Sequence, residues 1–516
     1  MAKPSSPLAR RFPMGAADPV APLRARFPVR ILAEERVRRT FLDTADWRLF
    51  AAGARALLEE GPHGTLLLWR RGGEYAELPV ANAPRFATDL PDSTVRRRLA
   101  AMAQVRALLP VGRQSVRRRR VLVLNGDGKT LVRVHLETAT VEDRNGRPTS
   151  PPVRTVIVEG LPGYEGTFRE VAALFGPADA SVGTVDDGLR EAAQRWGRAP
   201  GEIPGRPTLC LEPHLPAAEA VRRILLAQLA AITANLAGVV EDVDTEFLHD
   251  LRVAVRRTRS ALAQLGDLLP AAAAPPILEE FRWLGSVTGA CRDLDVFRLR
   301  VEALRERCPA AEREALTPLL RLLGEHRAAA HGEVAAALAS TRCRTLLRRF
   351  RRTLAVPRRR GEAIGEVAAG RIVKAFERLQ RRGTAVATGP ADPALLHRLR
   401  IAGKKLRYLL EFFASLYPED TVAPLVGRLK ALQDALGAFH DAALQRDRLA
   451  ALAQRLASAG GAEAATLLAM GRLVVWLEEE GERHRQEVGP LLQALTAPGV
   501  GRRLRSLAPP RGDRPC

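Results

Sequence analysis

The stretch that decides the fold reads His249-Asp-Leu-Arg-Val-Ala-Val-Arg-Arg-Thr-Arg259, and a second copy reads His397-Arg-Leu-Arg-Ile-Ala-Gly-Lys-Lys-Leu-Arg407. The two copies are 148 residues apart. The same offset, without a gap, pairs further residues: Leu284 with Leu432, Gly289 with Gly437, Asp293 with Asp441 and Arg300 with Arg448. A match that keeps one offset from residue 249 to residue 300 indicates a duplicated unit.

Each copy places its cations on one side of a helix. At about 100° per residue, positions 0, +3, +7 and +10 fall within an arc of about 80°. The two predicted rows are His249, Arg252, Arg256 and Arg259, and His397, Arg400, Lys404 and Arg407. Apolar residues on another side, such as Leu251 and Val255, are expected to face a core. Like charges on one face repel, so an anionic ligand is the preferred interpretation, and a solvated charged surface is the alternative.

A second helix in each copy extends the cationic surface. Positions 0, +11 and +18 share a helix face and carry Arg or Lys, then Asp, then Arg. His440 stands where the first copy has Arg292. The predicted secondary basic lining is Arg282, Arg300, Lys430, His440 and Arg448. Asp293 and Asp441 either orient a histidine ring or pair within their helix.

Composition favours a polyanionic partner and an intracellular setting. The chain has 516 residues, with 80 Lys and Arg against 58 Asp and Glu, a net charge of +22. Hydrophobic residues make up 46%, which excludes wholesale disorder, and aromatic residues only 5%, which disfavours binding by base stacking. Five scattered cysteines predict neither a disulfide framework nor a zinc site. No signal peptide or membrane-spanning stretch is predicted, so we expect a cytoplasmic protein with no membrane partner.

The chain divides by composition. Short β-rich runs separated by the hairpin signals Asn125-Gly126-Asp127-Gly128 and Asn145-Gly146 predict an antiparallel N-terminal half. Beyond Pro216, apolar residues recur every three to four positions among strong helix formers, which predicts a helical bundle. The predicted organisation is a flexible segment at 1–21, a β-rich domain at 22–178, a linker at 179–209, a helical domain at 210–508 and a tail at 509–516.

The paired His-x-x-Arg-x-x-x-Arg/Lys-Arg/Lys-x-Arg helices, each followed by an Ala-x-Arg/His-Asp segment, resemble the CHAD domain, the conserved histidine α-helical domain. That resemblance implies two four-helix bundles related by approximate two-fold symmetry, with a basic centre that binds inorganic polyphosphate. Carried over by position, the implied ligands are His249, Arg252, Arg256, Arg257, Arg259, His397, Arg400, Lys404, Lys405 and Arg407.

The N-terminal half is similar to the CYTH domain, a triphosphate tunnel fold. The similarity rests on Phe41-Leu-Asp-Thr-Ala-Asp-Trp-Arg-Leu49, Gly53 and the later strand and hairpin pattern. It implies an antiparallel β-barrel that holds triphosphate with basic residues and Mg²⁺ with glutamates of a Glu-x-Glu-x-Lys motif. The best-placed stretch, Pro22 to Phe27, keeps only Arg26 of that motif. We therefore expect a degenerate domain, because a Mg²⁺ site needs carboxylate oxygens.

The sequence thus predicts an α+β multidomain protein: an antiparallel CYTH-like β-barrel followed by an all-α, duplicated CHAD-like domain. The expected function is polyphosphate binding, either for targeting to polyphosphate granules or for presenting polymer to an enzyme. The first alternative is a Mg²⁺-dependent triphosphatase acting through the N-terminal domain. The second is a nonspecific nucleic-acid binder, which the lack of a recognition motif disfavours. No catalytic residue, resident metal or other cofactor is predicted. Histidines in the rows predict tighter binding near pH 6 than near pH 8.

Overall fold

A computed structural model describes residues 9–72, 74–177, 188–201, 209–270, 272–358, 360–388, 393–458 and 463–505. The chain forms two compact units, Met1–Pro204 and Gly205–Cys516. The prediction of an antiparallel sheet followed by a helical region is confirmed.

The N-terminal unit is built on one nine-stranded antiparallel sheet, with the order β1-β9-β8-β7-β3-β4-β5-β6 and with β2 paired to β7. Its strands are β1 (Ala9–Pro13), β2 (Val29–Ile31), β3 (Glu35–Asp43), β4 (Ala54–Gly61), β5 (Gly64–Arg71), β6 (Glu74–Val80), β7 (Leu109–Leu124), β8 (Thr130–Glu142) and β9 (Val153–Gly160). The sheet is curled into a half-barrel. It does not close into the predicted barrel, because β1 and β6 remain unpaired edges among the described strands. Both predicted hairpins are confirmed, since they join β7 to β8 and β8 to β9.

The α-helices described in this unit are α1 (Ala21–Arg24), α2 (Arg48–Ala51), α3 (Thr94–Ala103), α4 (Glu165–Ala173) and α5 (Leu189–Arg195). Two segments differ from the prediction. The predicted flexible segment contains β1, because Phe12 is fully buried and Ala9–Pro13 pairs with β9. The predicted linker contains α5, because Leu189 and Ala192 pack into the core beside the sheet.

The helical unit repeats at the offset seen in the sequence. Its helices are α6 (Ala217–Val240), α7 (Thr245–Leu265), α8 (Ala274–Val287), α9 (Gly289–Arg305), α10 (Ala310–Ala315), α11 (Thr317–Ala339), α12 (Thr341–Thr353), α13 (Ile364–Thr388), α14 (Pro393–Phe412), α15 (Glu419–Ser458), α16 (Ala464–Thr496) and α17 (Pro498–Arg505). Helices α7 and α14 begin 148 residues apart, and so do the short 3₁₀ turns that follow them, Gly266–Leu268 and Ala414–Leu416. The duplication therefore covers whole helices, and α15 takes the place of α8 and α9 together.

Helix α7 illustrates why these segments fold as they do. The Asp244 side chain caps its start by accepting hydrogen bonds from the amides of Glu246 and Phe247, at 2.9 and 3.2 Å. Leu251 and Val255 are buried, as the spacing predicted. One large apolar core joins α6, α7, α13 and α14, so the cationic side of α7 is fixed by the burial of its apolar side.

Helix α6 is, among the described helices, the one long and apolar enough to cross a membrane. Half of its most apolar window is buried, and Ile224 and Ile232 are fully enclosed by the helical unit. This burial is typical of a core helix in a soluble protein.

The described cysteines are of two kinds. Cys291, Cys308 and Cys343 are buried free thiols. Cys210 takes part in a disulfide bond, which the scattered spacing of the cysteines did not indicate.

Candidate functional site

Helices α7 and α14 bring the two predicted rows together. Arg256 of α7 donates from Nε to the Tyr408 hydroxyl of α14 at 2.7 Å. Lys404 of α14 lies close enough to Arg256 for their charges to repel. Residues that are about 150 positions apart in the sequence are therefore neighbours in space.

Arg252 and Arg400 occupy equivalent positions in the two copies. Arg252 donates from Nη1 to the Gly285 carbonyl at 2.9 Å and to the Thr288 hydroxyl at 3.0 Å. A Cβ added to Gly289 would lie 3.6 Å from Arg252 Nη1, and one added to Gly437 would lie 3.8 Å from Arg400 Nη2. The repeated glycines thus stand where each guanidinium passes the neighbouring helix.

Burial and mutual repulsion weaken proton binding at this site. Burial, followed by repulsion from Arg400 and Arg256, lowers the pKa of Lys404 to about 7. Burial also lowers the pKa of Arg259, and Arg282 and Arg256 add to the effect. The site therefore holds more positive charge than its own surroundings stabilise.

The histidines lie beside these cations. Burial and Arg292 lower the pKa of His249, and burial and Arg400 lower that of His440. The rings of His397 and His440 have their centroids 6.0 Å apart. Both histidines with lowered pKa are neutral at pH 7, and a bound anion would favour their protonation.

Asp293 and Asp441, which are equivalent in the two copies, lie close enough for their charges to interact. Partial desolvation and the neighbouring Asp293 raise the pKa of Asp441, while Arg400 opposes the shift. Within the described residues, neither carboxylate accepts a hydrogen bond from a histidine or forms an ion pair. They reduce the local positive charge without neutralising any single cation.

Three further predicted ligands have partners or neighbours other than the two rows. Arg257 forms an ion pair with Glu411 and lies over the rings of Tyr408 and Phe412. Arg407 also forms an ion pair with Glu411, at 3.4 Å. Glu411 lies four residues further along the helix, and the pattern of the rows did not take it into account. The pKa of Lys405 is lowered by burial and by Arg378 and Arg382 of α13, so its neighbours differ from those of Lys404.

Most residues of the predicted secondary basic lining contact groups other than the two rows. Arg282 pairs with Glu279 of its own helix, and Arg300 pairs with Glu480 of α16. Arg448 lies 5.8 Å from the centre of the Phe297 ring, and Lys430 is exposed on α15. Of this set, His440 joins the two rows.

The remaining residues form what we call the central cluster: Arg252, Arg256, Arg259, Arg400 and Lys404, with His249, His397 and His440. In the part of the chain that the structure describes, none of its five Arg and Lys residues forms an ion pair with a carboxylate. Sequence reasoning missed Tyr408, which positions Arg256; its one signal was an aromatic residue directly after the second row.

The half-barrel contains two arginines that, unlike those of the central cluster, form ion pairs with glutamates. Arg39 of β3 donates to Glu59 of β4 at 2.6 Å and to Glu137 of β8 at 3.2 Å. Arg118 of β7 donates to Glu137 at 2.7 Å and to Glu59 at 2.9 Å. Arg39, Glu59 and Glu137 are each more than nine-tenths buried. We call these four residues the buried ionic network.

The predicted motif stretch does not lie in this network. Residues 21–24 form α1, with Leu23 buried in the core and Arg26 exposed. Four consecutive arginines stand at 117–120 in β7: Arg118 and Arg120 face Glu137 and Glu35, while Arg117 and Arg119 are exposed. The placement of the motif on residues 22–27 is wrong because that stretch is not a strand.

A Mg²⁺ ion does not fit the network. The carboxylates of Glu59 and Glu137 already accept hydrogen bonds from two guanidinium groups each. The described residues contain no group of three or more His, Cys, Asp or Glu arranged to hold a metal. These acids neutralise arginines and leave few oxygens for a cation.

The family model of the CHAD domain matches residues 223–450, a span that contains the whole central cluster. Residues 223–450 therefore match the CHAD domain, as the paired rows predicted. The matched span is narrower than the predicted 210–508.

Individual proteins are similar over parts of the chain. An uncharacterized protein of Mycobacterium tuberculosis is 26% identical over 287 residues, 52% of this chain and 51% of the relative, so the chain spans about half the length of the curated relative it matches. A crystal structure of the CHAD domain from the plant Ricinus communis is 29% identical and covers 57% of this chain and 96% of that chain, with a TM-score of 0.48. A putative adenylate cyclase from Bacillus halodurans is 11% identical and covers 36% of this chain and 96% of that one, with a TM-score of 0.25.

Replacing Glu137 by Gln tests the buried ionic network. We expect the N-terminal unit to lose about 3–5 kcal/mol of unfolding free energy, because two buried arginines lose a charged partner. Burial alone would raise the pKa of Glu137, but Arg39 and Arg118 outweigh it and hold the pKa well below its ordinary value. The stabilisation is therefore complete above about pH 4.5 and is lost as the pH falls further. Calorimetric unfolding at pH 7 and pH 3 measures both effects.

The control is Glu34→Gln, which removes an exposed carboxylate 3.7 Å from exposed Arg119. That change should alter the unfolding free energy by less than about 1 kcal/mol. Equal effects of the two substitutions would contradict a stabilising role for the network.

Replacing Lys404 by Met tests repulsion in the central cluster. Because the pKa of Lys404 is about 7 in the folded chain, the unfolded chain binds more protons between about pH 7 and pH 10. The lysine therefore makes unfolding free energy rise with pH in that window. We expect Lys404→Met to raise the melting temperature at pH 6 and to flatten this rise. Lys430→Met, at an exposed position, should do neither, and a lower melting temperature for Lys404→Met would contradict the repulsion.

Proposed function

We propose that the CHAD domain of this chain binds inorganic polyphosphate in the central cluster. The observation that supports this most directly is that five Arg and Lys residues of the two rows meet at one half-buried place, and none of them has an ion-paired carboxylate among the described residues. Arginine and lysine bind phosphate oxygens by charge-assisted hydrogen bonds, and the cluster offers both. Each bound phosphate would supply a counter-charge to these cations.

The surroundings of the cluster favour a ligand without bases. Tyr408 is buried, its hydroxyl accepts from Arg256, and Arg257 lies over its ring. It therefore offers no open ring on which a base could stack. Polyphosphate carries about one charge per phosphate along a flexible backbone, so a compact group of cations is sufficient to hold it. In the cell, this binding would attach the chain to polyphosphate granules or present polymer to an enzyme.

Removing four charges from the cluster tests the proposal. We define the central variant as Arg256→Gln, Arg259→Gln, Arg400→Gln and Lys404→Gln in the full chain. It should lose polyphosphate binding by a factor of at least about 100, since four charge-assisted contacts disappear. Calorimetric titration with polyphosphate of graded length, at fixed salt, measures the change.

The paired-arginine control changes net charge equally at residues that already have acidic partners: Arg298→Gln, Arg313→Gln, Arg472→Gln and Arg485→Gln. It should retain most of the affinity. Equal losses in both variants would show that net charge, rather than the cluster, holds the polymer.

If duplex DNA displaces polyphosphate at equal phosphate concentration, the cluster serves nucleic acid instead. Phosphate release from tripolyphosphate, with and without Mg²⁺, tests the N-terminal unit separately.

Binding should take up protons near neutral pH. A polyanion raises the pKa of a lysine that is only partly protonated at pH 7.5, and it does the same for His249 and His440. Affinity should therefore fall as the pH rises from 6 to 8. Titration calorimetry in two buffers of different ionisation enthalpy counts the protons taken up.

Lys404→Arg separates charge from titration. Arginine stays protonated throughout this range, so the variant should take up close to one proton fewer at pH 8 while keeping its affinity. An unchanged proton count would show that the titrating group is not Lys404.

A further inference from the structure

Helix α12 carries an unusual surface outside the central cluster. Its thirteen residues, TRCRTLLRRFRRT, include six arginines and no acid. Cys343, Leu346 and Phe350 are buried, which fixes the opposite side of the helix towards solvent. Four exposed arginines fall within an arc of about 100° on that side. We call them the outer arginine face: Arg344, Arg348, Arg351 and Arg352.

The outer arginine face has no acidic partner within the described residues. Arg344 and Arg348 donate to the hydroxyls of Thr341 and Thr345 in their own helix, at 3.0 and 3.2 Å. Arg342, on a different side, pairs with Glu280 of α8 at 2.8 Å. Glu280 therefore neutralises Arg342, whereas the four residues of the outer arginine face have no carboxylate partner among the described residues.

The four arginines take no part in the core contacts of the helix, which Cys343, Leu346 and Phe350 make. Like charges held on one side of a helix repel one another, so an external anionic ligand would stabilise this arrangement.

The outer arginine face lies one helix away from the central cluster. Helix α8 packs against both α7 and α12. Arg259 of α7 is close enough to Arg282 of α8 for their charges to repel. Since a helix with its side chains is about 10–12 Å across, a flexible polyanion that leaves the cluster at Arg259 reaches α12 by crossing α8.

We propose that the outer arginine face is a second contact site for the polymer held in the central cluster, so that long polyphosphate binds more tightly than short polyphosphate. This inference rests on the proposed function. Two linked contacts raise affinity because the second forms at a high effective concentration. The buried apolar side of α12 leaves nothing to insert into a membrane. Trp283, beside the helix, is covered by the Arg342 guanidinium 4.1 Å from its ring centre, so bases have no stacking surface there.

The test uses an outer variant of the full chain: Arg344→Gln, Arg348→Gln, Arg351→Gln and Arg352→Gln. Its affinity for long polyphosphate should fall at least about tenfold, with the magnitude of the slope of log affinity against log salt smaller by about 3 for four lost contacts. Its affinity for tripolyphosphate, which fits within the cluster, should stay unchanged. The paired-arginine control should keep both affinities.

The outcomes separate this inference from the proposed function. If the central variant loses binding while the outer variant binds long polyphosphate normally, the second site is wrong and the proposed function stands. If the unaltered chain binds no polyphosphate, both fail. If the outer variant loses binding to duplex DNA or to anionic phosphatidylserine vesicles but not to polyphosphate, the surface serves that other partner and the inference is overturned.

Discussion

Repulsion between like charges is the constraint on which the helical unit is built. Two unit charges about 4 Å apart near a protein surface interact by about 4 kcal/mol, so a cluster of unpaired cations opposes folding. The cluster persists because α7 and α14 carry it on one side and bury apolar residues such as Leu251 and Leu406 on the other. Core packing therefore maintains a charge arrangement that the charges alone would disperse, and a bound anion would relieve the repulsion.

The half-barrel shows the alternative solution to the same problem. Arg39 and Arg118 are as cationic as Arg256 and Arg400, but their strands place Glu59 and Glu137 directly against them. Strand pairing dictates this outcome, since Arg39 stands opposite Glu59 and Arg118 opposite Glu137 in the sheet register. An anion that entered there would have to displace carboxylates that already hold the arginines. The two units differ in whether their arginines have carboxylate partners, not in whether they contain arginines.

The repeat made the helical unit predictable, because a fixed offset reports whole helices and helical spacing reports which residues share a face. The repeat did not predict the contacts of individual residues. Arg407 belonged to a row by spacing, yet Glu411 stands one turn further on and pairs with it. The strand β1 was missed because five residues, Ala9–Pro13, give too short a pattern for recognition, although pairing with β9 fixes them. Neither row predicted Tyr408, since the contact between Arg256 and its hydroxyl joins helices distant in sequence.

The symmetry of the central cluster bears on the nature of its ligand. Arg252 and Arg400 pass equivalent glycines, and the charges of Asp293 and Asp441 interact, so equivalent residues of the two copies meet at this site. A linear phosphate chain reads the same from either end, so it can present the same oxygens to both copies. A single nucleic-acid strand has a direction and cannot. Outside the cluster, the exposed arginines of α12 would give a long phosphate chain a preferred direction in which to leave it.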